Sequence, residues 1–123
     1  LTWMHQNKVD YTNTFCHLMN FKIQEDNIYE DVDFSNWKKR WQERLMKDNN
    51  SSQKYMGIMK KTSPLVIPRN HQIEEVLKEA CQGNFSPFIK FLEILKNPYV
   101  NQENILKYQL PVLNKNYQTF CGT

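Results

Sequence analysis

At 123 residues, with 40% hydrophobic, 24% charged and 13% aromatic side chains, the chain has the length and composition of one folded domain, which excludes disorder as its default state. Three glycines are too few for a glycine-rich phosphate loop or for the many tight turns of a β-sandwich. The formal charge of +3 rests on many lysines and only three arginines, Arg40, Arg44 and Arg69; this is no clustered phosphate-neutralising face, so no nucleic-acid partner is expected.

The first eight residues read as the last turns of a helix already under way, and the opening Leu1-Thr2-Trp3-Met4 reads as part of a longer polypeptide. Asp10 and Thr12 offer capping oxygens ahead of Phe15, Leu18, Met19 and Lys22, whose spacing predicts a helix over 12–22. The acidic stretch 24–33 has neither period and reads as a loop with one short turn. Asp33 or Ser35 then caps a helix in which Phe34, Trp37, Trp41 and Leu45, spaced 3, 4 and 4, keep to one narrow stripe and are expected in the core. On that reading Trp37-Lys38-Lys39-Arg40-Trp41 is a core stripe backed by a solvated face, with Lys39 and Arg40 pointing away from the tryptophans.

The polar run 48–52 leads to a helix carrying Tyr55, Met56 and Met59, which Ser63-Pro64 closes. Pro64 and Pro68 fence Leu65-Val66-Ile67, whose apolar side chains look strand-like while the flanking prolines cannot donate ladder bonds; an extended, buried connector is expected. Asn70 is placed to cap a helix with Ile73, Val76, Leu77 and Ala80 inward, Glu74 paired with Lys78, and Gly83 just past its end. Ser86-Pro87 supplies the next cap and first-turn proline. The helix that follows is apolar over more than half its circumference between Phe88 and Leu95, so it is expected at the centre. Asn97-Pro98 ends it, and Asn101 caps a last short helix through Tyr108, before Pro111. The expected fold is all-α: an irregular bundle of about six short helices over 1–111, an extended tail over 112–123, and no sheet.

No apolar run approaches the roughly 18 to 20 residues of a membrane span, and no charged-then-apolar leader opens the chain, so no membrane partner is expected. Three cysteines without paired ligand spacing fit a reducing cytoplasm better than a disulfide-stapled secreted domain. His5, His17 and His71 are scattered, and none lies four residues from a second ligand in a zinc-like pattern, so no metal is expected. Arg69-Asn70-His71 stands at a helix start, where backbone amides favour anions, although Asn70 as an ordinary cap is the simpler account. Cys16 and Cys81 read as small buried hydrophobes. Cys121 stands two residues from the end of a polar tail that could carry its sulfur to another surface, and reads equally as an incidental tail residue. The residue chemistry alone yields no nucleophile–base pair and no acid–base carboxylate pair.

Six stretches carry a resemblance. They are Val9 to Phe15; W-x-x-R-W-x-x-R-L from Trp37 to Leu45; Ile67 to His71; Ala80 to Phe85; Asn97-Pro98-Tyr99; and the ending Tyr117 to Thr123. In this order and spacing they resemble the C-terminal region of the selenoprotein O family, kinase-like proteins that transfer AMP rather than phosphate. The resemblance covers nearly the whole chain; Ser63, Asn84, Asn101 and the terminal Cys121-Gly122-Thr123 depart from the family pattern. It implies a bacterial, cytoplasmic protein adenylyltransferase that uses ATP and magnesium and moves AMP onto Ser, Thr or Tyr hydroxyls of substrate proteins. The nucleotide- and metal-binding residues of that family belong to an upstream kinase-like core, and none maps onto this chain. What maps is Cys121, at the position of a selenocysteine or cysteine linked to redox control through a cysteine of the core. Residues 1–111 are then the helical C-terminal region of a larger kinase-like protein, with the core of the same polypeptide as partner, and 112–123 the tail that presents Cys121. Separated from that core, the segment would expose an apolar face through which it could self-associate. The alternative reading is a free-standing helical protein-interaction module without catalysis.

Overall fold

The computed structural model describes residues 1–23, 26–47 and 52–112. Among them the chain forms seven α-helices and one 3₁₀ helix and no strand, as an all-α reading requires. It divides into two compact units, the first Leu1–Pro64 and the second starting at Leu65.

In the first unit, α1 (Thr2–Gln6) leads to α2 (Tyr11–Leu18), with Asp10 at its N-terminus. The Asp10 carboxylate accepts from the Asn13 amide at 2.8 Å, so the predicted cap holds. The helix stops four residues short of the predicted end because Asn20 turns left-handed (φ 62°). Its amide donates to the His17 carbonyl and that of Phe21 to the Cys16 carbonyl, which closes the C-terminus as a Schellman motif with Asn in the glycine position. A 3₁₀ helix, Asp26–Glu30, is the one short turn expected in the acidic stretch.

Helix α3 (Val32–Lys47) is capped by neither Asp33 nor Ser35. The cap is Asp31, whose Oδ1 accepts the Phe34 amide at 3.0 Å and the Trp3 indole N–H at 2.7 Å. Phe34 is the hub of an aromatic cluster, with ring centroids 4.7 Å from Trp3 and 5.1 Å from Tyr29. Tyr29 stacks on His17 at 4.2 Å, and its hydroxyl lies 3.0 Å from Thr14 Oγ1 in the buried interior. Cys16, Leu18, Met19 and Ile23 complete this core. Helix α4 (Ser52–Thr62) follows, with no fully buried residue.

The second unit opens with the connector. Leu65 and Val66 are buried in extended backbone without forming a strand. The Leu65 amide donates to the Pro98 carbonyl at 2.7 Å, and its carbonyl accepts from Gln109 Nε2 at 2.7 Å, so the connector's hydrogen bonds go to loop and side chain instead of a ladder. Helix α5 (Asn70–Cys81) begins one residue earlier than predicted: Arg69 holds the cap position, its carbonyl accepting from the Ile73 amide, and Asn70 is the first helical residue. Val76 is buried, whereas Leu77, expected inward, is exposed. Gly83 does what its position implied. At φ 88° its amide donates to the Ala80 carbonyl while that of Asn84 donates to the Glu79 carbonyl, a second Schellman closure.

Helix α6 (Ser86–Lys96) starts with Phe85 at the cap position, Ser86 being already helical, and places Pro87 in its first turn. It packs against α5. Only Phe91 is buried, its ring 5.1 Å from that of Tyr108, so the expected central position is not what forms. Gln102 Nε2 donates to the carbonyls of Ile94 and Asn97 and satisfies the end of α6. Helix α7 (Ile105–Gln109) is preceded by Asn104 in left-handed backbone, in place of the predicted Asn101 cap. Gln72, buried on α5, donates to the Lys107 carbonyl at 3.1 Å. Three glutamines thus bind the connector and helices of this unit together.

Candidate functional site

Cys121, the one site residue named from the sequence, lies outside the described residues. The other two cysteines stand in contrasting settings, Cys16 buried and Cys81 exposed. Cys16 has no exposed surface, and its Sγ lies 3.9 Å from the Pro64 carbonyl oxygen, within the first unit. Cys81, read as buried, is exposed instead, because it is the last residue of α5 and the chain turns away directly after it.

The tryptophan stripe of α3 is the largest departure from expectation. Phe34 reaches the core at 3% exposure, but Trp37 stays 42% exposed. Trp37 and Trp41 run parallel, 6.0 Å apart and 5° from coplanar, along the wall of a groove of about 740 Å³ in the first unit. Arg40 lines the same groove. Four residues of α3, Trp37, Arg40, Trp41 and Arg44, sit at helical offsets 0, 3, 4 and 7 and so share one side. Periodicity identified the stripe, but not that Phe34 alone would be fully buried with Trp41 and Leu45 half-buried, nor that Arg40, expected to point away, lines the groove beside the tryptophans.

Asp31 anchors the start of that stripe. The Phe34 amide, and after it the Trp3 indole, hold its carboxyl below the ordinary carboxylate value, against a weaker opposing effect of burial. Trp3 and Asp31 are 28 positions apart, so no local pattern could have announced the pair.

In the second unit a cavity of about 520 Å³ is lined by His71, Gln72, Glu75, Glu79, Lys107 and Tyr108, among others. It holds the residue singled out beside the helix start, His71. Two carboxylates share the lining with it, which opposes an anion there. Asn70 does not cap the helix through its side chain.

Nucleotide or metal chemistry needs a cradle of backbone amides or a set of convergent ligands. Among the described residues no three or more His, Cys, Asp or Glu side chains converge to hold a metal ion. The three glycines, Gly57, Gly83 and Gly122, are widely spaced and form no phosphate loop. No transfer step is assigned to the described residues. Among the described residues no helix is long and apolar enough to cross a membrane.

Comparison with known proteins supplies what the geometry does not. The profile of the family described as protein adenylyltransferase SelO matches residues 1–96. Over 125 aligned residues the chain is 44% identical to a protein nucleotidyltransferase YdiU of Pelagibacter ubique (strain HTCC1062), covering 100% of this chain and 26% of that protein. Proteins of the same name from Bacillus cereus (strain AH820) and Clostridium perfringens (strain ATCC 13124) are 40% and 37% identical, again over 100% of this chain and 26% of theirs. No solved structure matches the chain. The chain spans about a quarter of the length of the curated relatives it matches.

Proposed function

The chain belongs to the protein adenylyltransferase SelO family, and on that premise we propose that it is the C-terminal helical portion of a bacterial, cytoplasmic AMP transferase acting on Ser, Thr or Tyr hydroxyls of proteins. In this reading the kinase-like remainder of the polypeptide binds ATP and magnesium. The helical portion buttresses that core and presents Cys121. The observation that carries the reading is the match of the whole chain, at 44% identity, to 26% of a protein nucleotidyltransferase, about three quarters of which lies outside the match.

The role of Cys121 is a reversible disulfide with a cysteine of the core. Exchange of the two thiols with an oxidised disulfide, such as a small-molecule one, would form the bond, release two reduced thiols and leave electrons balanced. The buried Cys16 cannot be the partner without unfolding, because exchange needs access to sulfur.

The test uses the longer polypeptide with magnesium and ATP labelled at the α- or the γ-phosphate. Label reaching protein hydroxyls from the α-position only is the expected result. Transfer from the γ-position would make the protein a kinase and refute the reading. A loss of activity in mild oxidant that Cys121→Ser abolishes is expected for the redox role, and an unchanged oxidant response in that variant would remove it.

A further inference from the structure

We infer that the exposed stripe Phe85, Phe88, Ile89 and Leu92 along α6 is a docking face for the remaining part of the same family polypeptide, an inference that rests on the reading of this chain as one portion of a longer transferase. The four side chains stand at helical offsets 0, 3, 4 and 7, so they fall within one arc of about 100°. They are 58%, 37%, 55% and 42% exposed. Phe91 lies about 110° from the centre of that arc and is the side chain this unit buries. Helix α6 is therefore apolar on two adjacent sides, and its own unit covers one.

Two observations select the occupant. The relatives matched here are about four times as long as the chain, so most of the family polypeptide is available to cover the stripe. The area is also wrong for a second copy. Phe85 and Phe88 can bury about 150 to 250 Å² each and Ile89 and Leu92 somewhat less, so the four, near half exposed, offer at most about 400 Å², against about 800 Å² per partner in a standard interface. A patch of that size suits docking within one chain, where no association entropy opposes it. The stripe carries no charge of its own, while Lys96 and Glu93 pair with each other at 2.7 Å at the far end of the helix.

The experiment places a reporter thiol in the stripe. Ile89→Cys is made in the 123-residue chain and in the longer polypeptide, and alkylation is followed peptide by peptide, each rate normalised to the denatured sample. The expected result is rapid labelling in the short chain and a slowing of about tenfold or more in the long one, because labelling must then await local opening. Leu92→Cys gives a second reading should Ile89→Cys fail to fold. Equal rates in both forms would overturn the inference. So would protection already present in the short chain together with a dimer on sizing, which would make a second copy the occupant. AMP transfer is measured on the same long sample. Protection without transfer supports the docking face and refutes the activity, whereas transfer without protection does the reverse.

Discussion

Replacing glycine by alanine at two positions should change stability in opposite directions, although neither site is crowded. An ideal Cβ at Gly57 or at Gly83 meets no heavy atom within 4 Å, so packing does not separate them. Backbone does. Gly57 lies inside α4, where alanine restrains the unfolded chain and favours helix, a gain of about 0.5 to 1 kcal/mol. Gly83 sits at φ 88°, where an L side chain meets its own carbonyl at a cost of about 1 to 2 kcal/mol. Subtracting the entropy gain of about 0.4 to 1 kcal/mol that alanine brings through the unfolded state leaves a net loss of about 0.5 to 1 kcal/mol. The assay is urea unfolding followed by helical circular dichroism. With slopes of about 1 to 3 kcal/mol per molar, the midpoints should move apart by roughly 0.5 to 1 M or more between the two variants. Gly83→Asn should fall between wild type and Gly83→Ala, since asparagine tolerates the left-handed region. If both alanine variants moved the same way, the Schellman closure of α5 would be refuted.

Other expectations follow from the first unit. Phe34→Ala should cost about 3 to 5 kcal/mol, as loss of a buried aromatic hub does, while Trp37→Ala, beginning from a half-exposed ring, should cost about 1 kcal/mol; equal costs in urea unfolding would restore the tryptophan stripe to the core. Asp31 has a carboxyl held below its ordinary value, so its charge adds stability above about pH 4, where the unfolded group is ionised, and that contribution disappears as pH falls through the lower folded value. Asp31→Asn keeps an acceptor for the cap and removes the charge. Its deficit relative to wild type should be present at neutral pH and vanish in acid, and a deficit independent of pH would show that the charge is unimportant. In a Cys121→Ser background, a thiol reagent should modify Cys81 in the native protein and Cys16 only after denaturation. Two reactive thiols in the native state would contradict the burial of Cys16.

Local chemistry was legible in the sequence, and tertiary coverage was not. Asp10 as a cap and Gly83 beyond a helix end follow from side-chain oxygen and positive φ, both properties of single residues. The prolines around Leu65-Val66-Ile67 likewise barred a strand, and the connector's polar groups found Pro98 and Gln109 instead. Where a partner came from far along the chain, the reading failed: Trp3 recruits Asp31 and shifts the start of α3 ahead of Asp33. Buried Gln72 and Gln109 gave no sign either, since a glutamine that satisfies a distant carbonyl looks like any surface glutamine. The apolar extent of α6 and the spacing of Trp37 and Trp41 were both read correctly. Their placement at the centre was not, because periodicity shows which faces want cover and not whether the chain at hand provides it. Of the candidate site, Cys121 was named through resemblance alone.

The central proposal is that this chain is part of an AMP transferase whose catalytic residues lie in the rest of the polypeptide. It is tested most directly by incubating the 123-residue chain and the longer polypeptide side by side with α-labelled ATP, magnesium and protein substrate. Labelling by the longer polypeptide and none by the chain alone is the predicted result. Labelling by the isolated chain would place the active site within these 123 residues and would contradict the account.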